Sequence, residues 1–155
     1  MLSKDIILLQ LEESRRRSIL VWDTIPETFL HWRPYDNAMS LLEMVRHILD
    51  CDEWYRQTIL QRDSTHLDYN LIFGNRPLNA VSQELENNNI HRDAFLQLIY
   101  SLSEEELDSL IIRRKKGLTP LRRFLSEISY HEAYHAGQLR LCLRQLQVPS
   151  ADIWE

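Results

Sequence analysis

Residues 119–147 read TPLRRFLSEISYHEAYHAGQLRLCLRQLQ, and the spacing of their apolar positions decides the fold. Leu121, Phe124, Ile128, His131, His135, Gln138 or Leu139, Cys142 and Leu146 recur at intervals of three and four, the period of one face of an α-helix. Thr119 as N-cap and Pro120 at the first helical position predict where the helix begins, and Pro149 lies just past its end near Gln147. A helix this long with one apolar stripe is stable only if other helices cover that stripe.

The rest of the chain supplies three more helices. Ser3 to Thr24 carries Ile7, Leu11, Ser14, Ser18, Val21 and Ile25 on one stripe, and Pro26 and Pro34 mark the connector that follows. Ser40 and Glu43 have the spacing of a capping box and predict a second helix to about Arg62. Its inward positions are Leu41, Met44, His47 or Ile48, Cys51, Trp54 or Tyr55, and Ile59. A polar connection, Asp63 to Asn75, precedes a third helix expected from Pro77 to Leu102, weakened in its middle by Asn87 to Asn89. Ser103 and Glu106 form a second capping pattern ahead of a basic loop that ends at Gly117. With three glycines in 155 residues and almost no strand signal, the expected architecture is all-α: a single domain over 1–155, a four-helix bundle with long connections.

Composition bounds the function. Lys and Arg number 18 against 23 Asp and Glu, a formal charge of -5, which excludes a general nucleic-acid binder resting on a cationic face. No apolar run is long enough to span a bilayer, and no secretory signal pattern is present, so a cytoplasmic protein is expected. Cys51 and Cys142 fall inside helical apolar patterns as reduced, buried thiols. The basic run Arg15 to Arg17 is expected on a solvated helix face. Arg113 to Lys116 is expected in a loop, where gripping an anionic substrate is a further role open to it.

The chemistry sits in the histidines. His131 and His135, at i and i+4 on the inward stripe, stack on one helical face and can both reach a single ion. His47 lies between Met44 and Cys51 on the inward side of the second helix, so a bundle can turn it toward the same place; its height is not set by periodicity. Three imidazoles suit Zn, Ni, Fe(II) or a similar divalent ion and leave positions open for water or substrate. Gly137, inside a helix at a cost of roughly 1 kcal/mol relative to alanine, points to a close approach or a tight helix crossing. Gln138 can orient a ligand from outside the first ring of contacts. His131 to His135 also spells HExxH, with Glu132 in the position of a general base. The 20 residues after it offer only Asp152 and Glu155 as a third ligand, and no sheet edge is expected to hold a peptide, which argues against a metalloprotease. Glu132 and Gln138 are kept as candidate catalytic residues. His31, His66 and His91 fall in polar surroundings and are expected to be exposed.

Two stretches carry a resemblance: Trp32-Arg33-Pro34 followed by Ser40-Leu41-Leu42-Glu43-Met44-Val45-Arg46-His47-Ile48, and His131-x3-His135-Ala136-Gly137-Gln138-Leu139. In order and spacing the chain resembles the DinB/YfiT-like family of small helical metal-binding proteins, which includes thiol-dependent S-transferases. The resemblance implies His47, His131 and His135 as ligands of one divalent transition metal (Zn, Ni, Fe or Mn), a small-molecule substrate such as a low-molecular-weight thiol, and a homodimer. The chain departs from the pattern at Ala136, where many relatives resemble His-Arg-Gly-Gln, so fold and metal carry over further than thiol transfer. The expected activity is that of a metal-dependent transferase or hydrolase. The alternative is a metal-binding stress or interaction protein without turnover.

Overall fold

The second helix starts where the capping pattern places it. In the computed structural model, which describes residues 3–68, 76–149 and 151–154, Ser40 Oγ accepts from the Glu43 backbone N–H at 3.2 Å and Glu43 returns a carboxylate oxygen to the Ser40 N–H at 2.7 Å. Helix α2 then runs Leu41–Gln61 and ends at Arg62, which takes a left-handed conformation. Glu43 also receives Arg33 Nη2 at 2.6 Å, so the connector motif Trp32-Arg33-Pro34 and the capping box are one device that fixes the entry to α2. Helix α1 spans Ser3–Trp22, α3 Val81–Ser101, the short α4 Glu104–Ser109, and α5 Leu121–Gln145. Helix α1 packs on α5 and α3, and α2 packs on α3 and α5.

Three boundaries depart from the sequence reading. Helix α3 begins at Val81 rather than Pro77, because the carbonyls of Arg76 and Pro77 accept from the Arg46 guanidinium and Ala80 is extended. Residues 111–120 are a β-hairpin rather than a loop: β1, Ile111–Arg114, pairs antiparallel with β2, Gly117–Pro120, across Lys115 and Lys116. Gly117 supplies the positive φ of +125° at the turn. Ile112, fully buried, pins the hairpin to the core, and the Arg113 N–H donates to the Arg62 carbonyl at 2.8 Å, tying it to the end of α2. Pro120, not Thr119, is the N-cap of α5, since Thr119 is used as a strand residue opposite Ile112. The later part of the connection between α2 and α3, with Gly74, lies outside the described residues.

The core is two apolar clusters separated by a polar layer. One gathers Trp22, Leu42, Val45, Leu49, Leu139 and Leu143 among others; the second gathers Leu11, Ile59, Phe95, Ile99, Phe124 and Ile128. Each long helix interrupts its apolar stripe between its contributions to the two clusters: at Arg15 on α1, Asp52 on α2, Asn88 and Arg92 on α3, and Glu132 on α5, all buried. Arg15, expected on a solvated face with Arg16 and Arg17, is only 8% exposed. It reaches Glu132, Asp52 and Asn88 Oδ1, while Arg92 Nη1 donates to the other oxygen of Asp52 at 3.0 Å. Two guanidinium groups thus face two carboxylates, and the desolvation cost of each charge is offset by partners within hydrogen-bond reach. Asn88 Nδ2 donates to the Leu49 carbonyl at 2.7 Å, so the weak middle of α3 is where α3 enters this network.

Candidate metal centre

The histidines occupy the same polar layer, between α2 and α5. Ile128 belongs to one apolar cluster and Leu139 to the other, and His131 and His135 fill the turns between them. On α2, His47 is half-buried and faces both. His131 Nε2 lies 3.3 Å from His47 Nε2 and 3.0 Å from His135 Nε2, and the three ligand atoms fall within 4.8 Å of one another. The rings meet edge to face, with interplanar angles of 80°, 81° and 89°, so each presents a nitrogen edge to a common point.

That geometry fits an ion. Tetrahedral zinc with Zn–N bonds near 2.0–2.1 Å separates its nitrogen ligands by about 3.3 Å, close to the spacings around His131. Two of the outer nitrogens are also committed. Gln138 Oε1 accepts from His135 Nδ1 at 2.7 Å, which puts the ring proton on Nδ1 and leaves the Nε2 lone pair pointing inward. Tyr55 Oη lies 3.0 Å from His131 Nδ1, and acceptance of the Nδ1 proton there frees His131 Nε2 in the same way. Burial and the neighbouring His135 and His47 bring the His131 pKa down to about 4. Burial and His135 lower that of His47, and burial lowers that of His135 against the opposing bond from Gln138. Neutral imidazoles, the form that ligates metal, therefore prevail at neutral pH.

Other sequence candidates are placed elsewhere. The Glu132 carboxylate, 3% exposed, is directed to α1, where Arg15 Nε donates to it at 2.7 Å. Cys51 is buried, with its thiol pushed up to about 12 by burial and by Asp52 and Asp50, and it is not part of the clustered ligand set. Gly137 is exposed, and a Cβ there would meet nothing within 4 Å, so neither a tight crossing nor a close approach explains it among the described residues. His31 and His66 are exposed, and His91 is half-buried with Nδ1 3.4 Å from Glu53. Sequence periodicity places Tyr55 only as an alternative to Trp54 on the inward stripe and does not mark it as a partner of the histidines. Its signal was its position eight residues beyond His47, two turns along the same face of α2.

Two cavities reach the trio from opposite members. One of about 430 Å³ has His131 in its wall with Tyr55, Phe124, Tyr130, Tyr134 and Arg114. A second, of about 440 Å³, has His47 in its wall with Arg33, Glu43, Arg46 and Asp50.

A mostly helical body whose polar layer holds three convergent, neutral imidazoles defines a small helical protein with an open candidate site for one divalent metal. The DinB superfamily profile matches residues 10–139, and the chain belongs to that superfamily. Its fold is similar to the crystal structure of a DinB-like protein, YjoA, of Bacillus subtilis, with a TM-score of 0.69 and 20% sequence identity over 94% of each chain. No curated protein matches the sequence. No helix among the described residues is long and apolar enough to cross a membrane.

Proposed function

We propose that the protein is a metal-dependent enzyme acting on small molecules, with one divalent transition metal held by His47, His131 and His135. The observation that carries this reading is the openness of the trio: three imidazoles at ligand spacing, with a cavity adjoining His131 and another adjoining His47. Structural metal sites are closed by four protein ligands, whereas three leave a position for a reactant. A divalent ion at this site supplies a Lewis acid that lowers the pKa of a thiol or water at neutral pH.

The chain's own residues hold the geometry. Gln138 and Tyr55 fix two of the rings through their outer nitrogens, and the first cavity sets aromatic side chains beside His131. Two cavities suit two reactants, which favours transfer of a low-molecular-weight thiol to an electrophile over hydrolysis. Zn, Ni, Fe and Mn all accept such ligands, and the donor set does not choose among them.

Elemental analysis of the purified protein beside a His135→Ala variant tests the ligand set. The expected result is near-stoichiometric metal in the native protein and little in the variant; equal content in both overturns it. Turnover is tested by screening low-molecular-weight thiols with a generic electrophile in the presence of Zn, Ni or Mn. A Co(II)-substituted sample whose visible spectrum ignores added thiol, together with silence across that screen, would replace the enzyme reading with that of a non-catalytic metal-binding protein.

A further inference from the structure

The cavity beside His131 has a composition that selects its occupant. Three of its walls are aromatic side chains of α5, Phe124, Tyr130 and Tyr134, and a fourth is Tyr55 of α2. At its edge stand Glu127 and Arg114, the latter delivered by β1 of the hairpin. The Arg114 guanidinium carbon lies 5.5 Å from the centre of the Phe124 ring, and Nη1 donates to Glu127. A guanidinium has five N–H donors in a planar fork, so the Glu127 bond orients the group without exhausting it.

The surroundings of Arg114 are strongly cationic in a chain whose formal charge is -5. The adjoining cavity of about 440 Å³ on the hairpin side is lined by Arg114, Lys115, Lys116 and Arg123, with Glu127 as its one acid. Glu127 is already shared, accepting from Arg114 and from Arg123 Nε at 3.2 Å. A cationic ligand would find no uncommitted carboxylate there, whereas an anion would find a prepared fork and a field that draws it in.

We infer that the cavity beside His131 receives a carboxylate with an apolar or aromatic body, the carboxylate on Arg114 where the cationic hairpin-side cavity adjoins and the body against Phe124, Tyr130, Tyr134 and Tyr55, so that its far end abuts His131. This rests on the reading of the histidine trio as the reaction centre only for which end of the ligand reacts; the binding itself needs no metal. The β-hairpin is then a specificity element, and it explains why a chain of helices keeps two short strands at this point.

The experiment is titration of the full chain, treated with chelator, with 3-phenylpropionate and with its neutral isostere 3-phenylpropanamide, followed by backbone amide NMR shifts. The carboxylate is expected to bind about tenfold or more tightly than the amide, as a charge-assisted hydrogen bond requires. Its shifts should fall on Arg114, Phe124, Tyr130 and Tyr134, and its affinity should drop with added salt. Arg114→Gln should bring the two ligands to equal affinity, while Arg114→Lys should keep part of the preference. Equal affinities in the native protein, no binding of either compound at millimolar concentration, or shifts confined to the groove of Leu9, Ala133 and Trp154 each overturn the inference. The comparison of the two ligands on the native chain stands even if Arg114→Gln fails to fold. In a Mn(II)-loaded sample, enhanced relaxation of the bound ligand's protons would place it beside the trio. If metal analysis fails but the carboxylate binds, the reaction centre is lost and the anion site remains.

Discussion

Arg15 on α1 and Glu132 on α5 are joined at 2.7 Å between the two apolar clusters, one residue along the chain from His131. The pair shares its layer with Asp52, Asn88 and Arg92, so α1, α2, α3 and α5 are registered at the level of the histidine trio. Burial works against the charge on Arg15, but Glu132 and Asp52 hold it firmly protonated.

Removal of one member of this network leaves a buried charge short of a partner. Glu132→Gln is expected to lower unfolding stability by about 1–3 kcal/mol, because Arg15 keeps Asp52 while losing its bond to a carboxylate. Glu132→Ala should cost more. Metal content should stay near the native value in Glu132→Gln, measured by elemental analysis beside urea unfolding. Loss of activity at unchanged stability and metal content would instead make Glu132 a base in the reaction.

Partners of the outer ring nitrogens should matter to metal affinity without being ligands. Gln138→Leu and Tyr55→Phe are each expected to weaken metal binding roughly 10- to 100-fold, since each frees an imidazole to rotate or change tautomer. Chelator competition reads the affinity, and circular dichroism checks that the helices persist. Affinity equal to the native value in both variants would remove Gln138 and Tyr55 from the site.

Cys51 should be chemically silent in the folded state. With its thiol raised to about 12, the reactive thiolate at pH 8 is on the order of one part in ten thousand. Alkylation by iodoacetamide, followed by mass spectrometry, should be far slower for Cys51 in the native protein than in urea. Rapid native labelling of Cys51 would show that the layer around it opens readily.

Glu53 gives a pH test of stability. Burial alone would raise its pKa, but Arg56 and Gln57 overcome that and bring it down from 4.5 to about 2. A depressed folded-state pKa stabilises the protein fully above the unfolded value, and that stabilisation disappears as pH falls through the folded one. The difference in urea midpoint between native protein and Glu53→Gln should therefore be constant above about pH 5.5 and shrink steadily toward pH 2. A difference that does not change between pH 6 and pH 2.5 would refute the assignment.

Much of this architecture is readable one helix at a time. The two capping boxes, at Ser40 with Glu43 and at Ser103 with Glu106, form as their spacing predicts, because a cap depends on residues three apart. The inward facing of His131 and His135 follows from the same local periodicity. The hairpin was less legible: Ile111 and Ile112 are good strand formers, but four residues are too few to display alternation beside a basic turn. Arg15 sits in a run of three arginines that reads as a solvated face, yet its spacing of four from Leu11 and three from Ser18 puts it on the buried face.

What the sequence determines by itself is which side of each helix turns inward and where most of the helices begin. Those are properties of neighbours within a turn or two, fixed by backbone hydrogen bonding and the burial of apolar surface. What only the tertiary structure decides is the height of one helix against another. Arg15 on α1, Asp52 on α2, Asn88 on α3 and the histidines of α5 each interrupt one of four apolar stripes, and packing brings the interruptions to one level. There charges find partners and His47 meets His131, because a buried polar group is stable only where another helix supplies its complement.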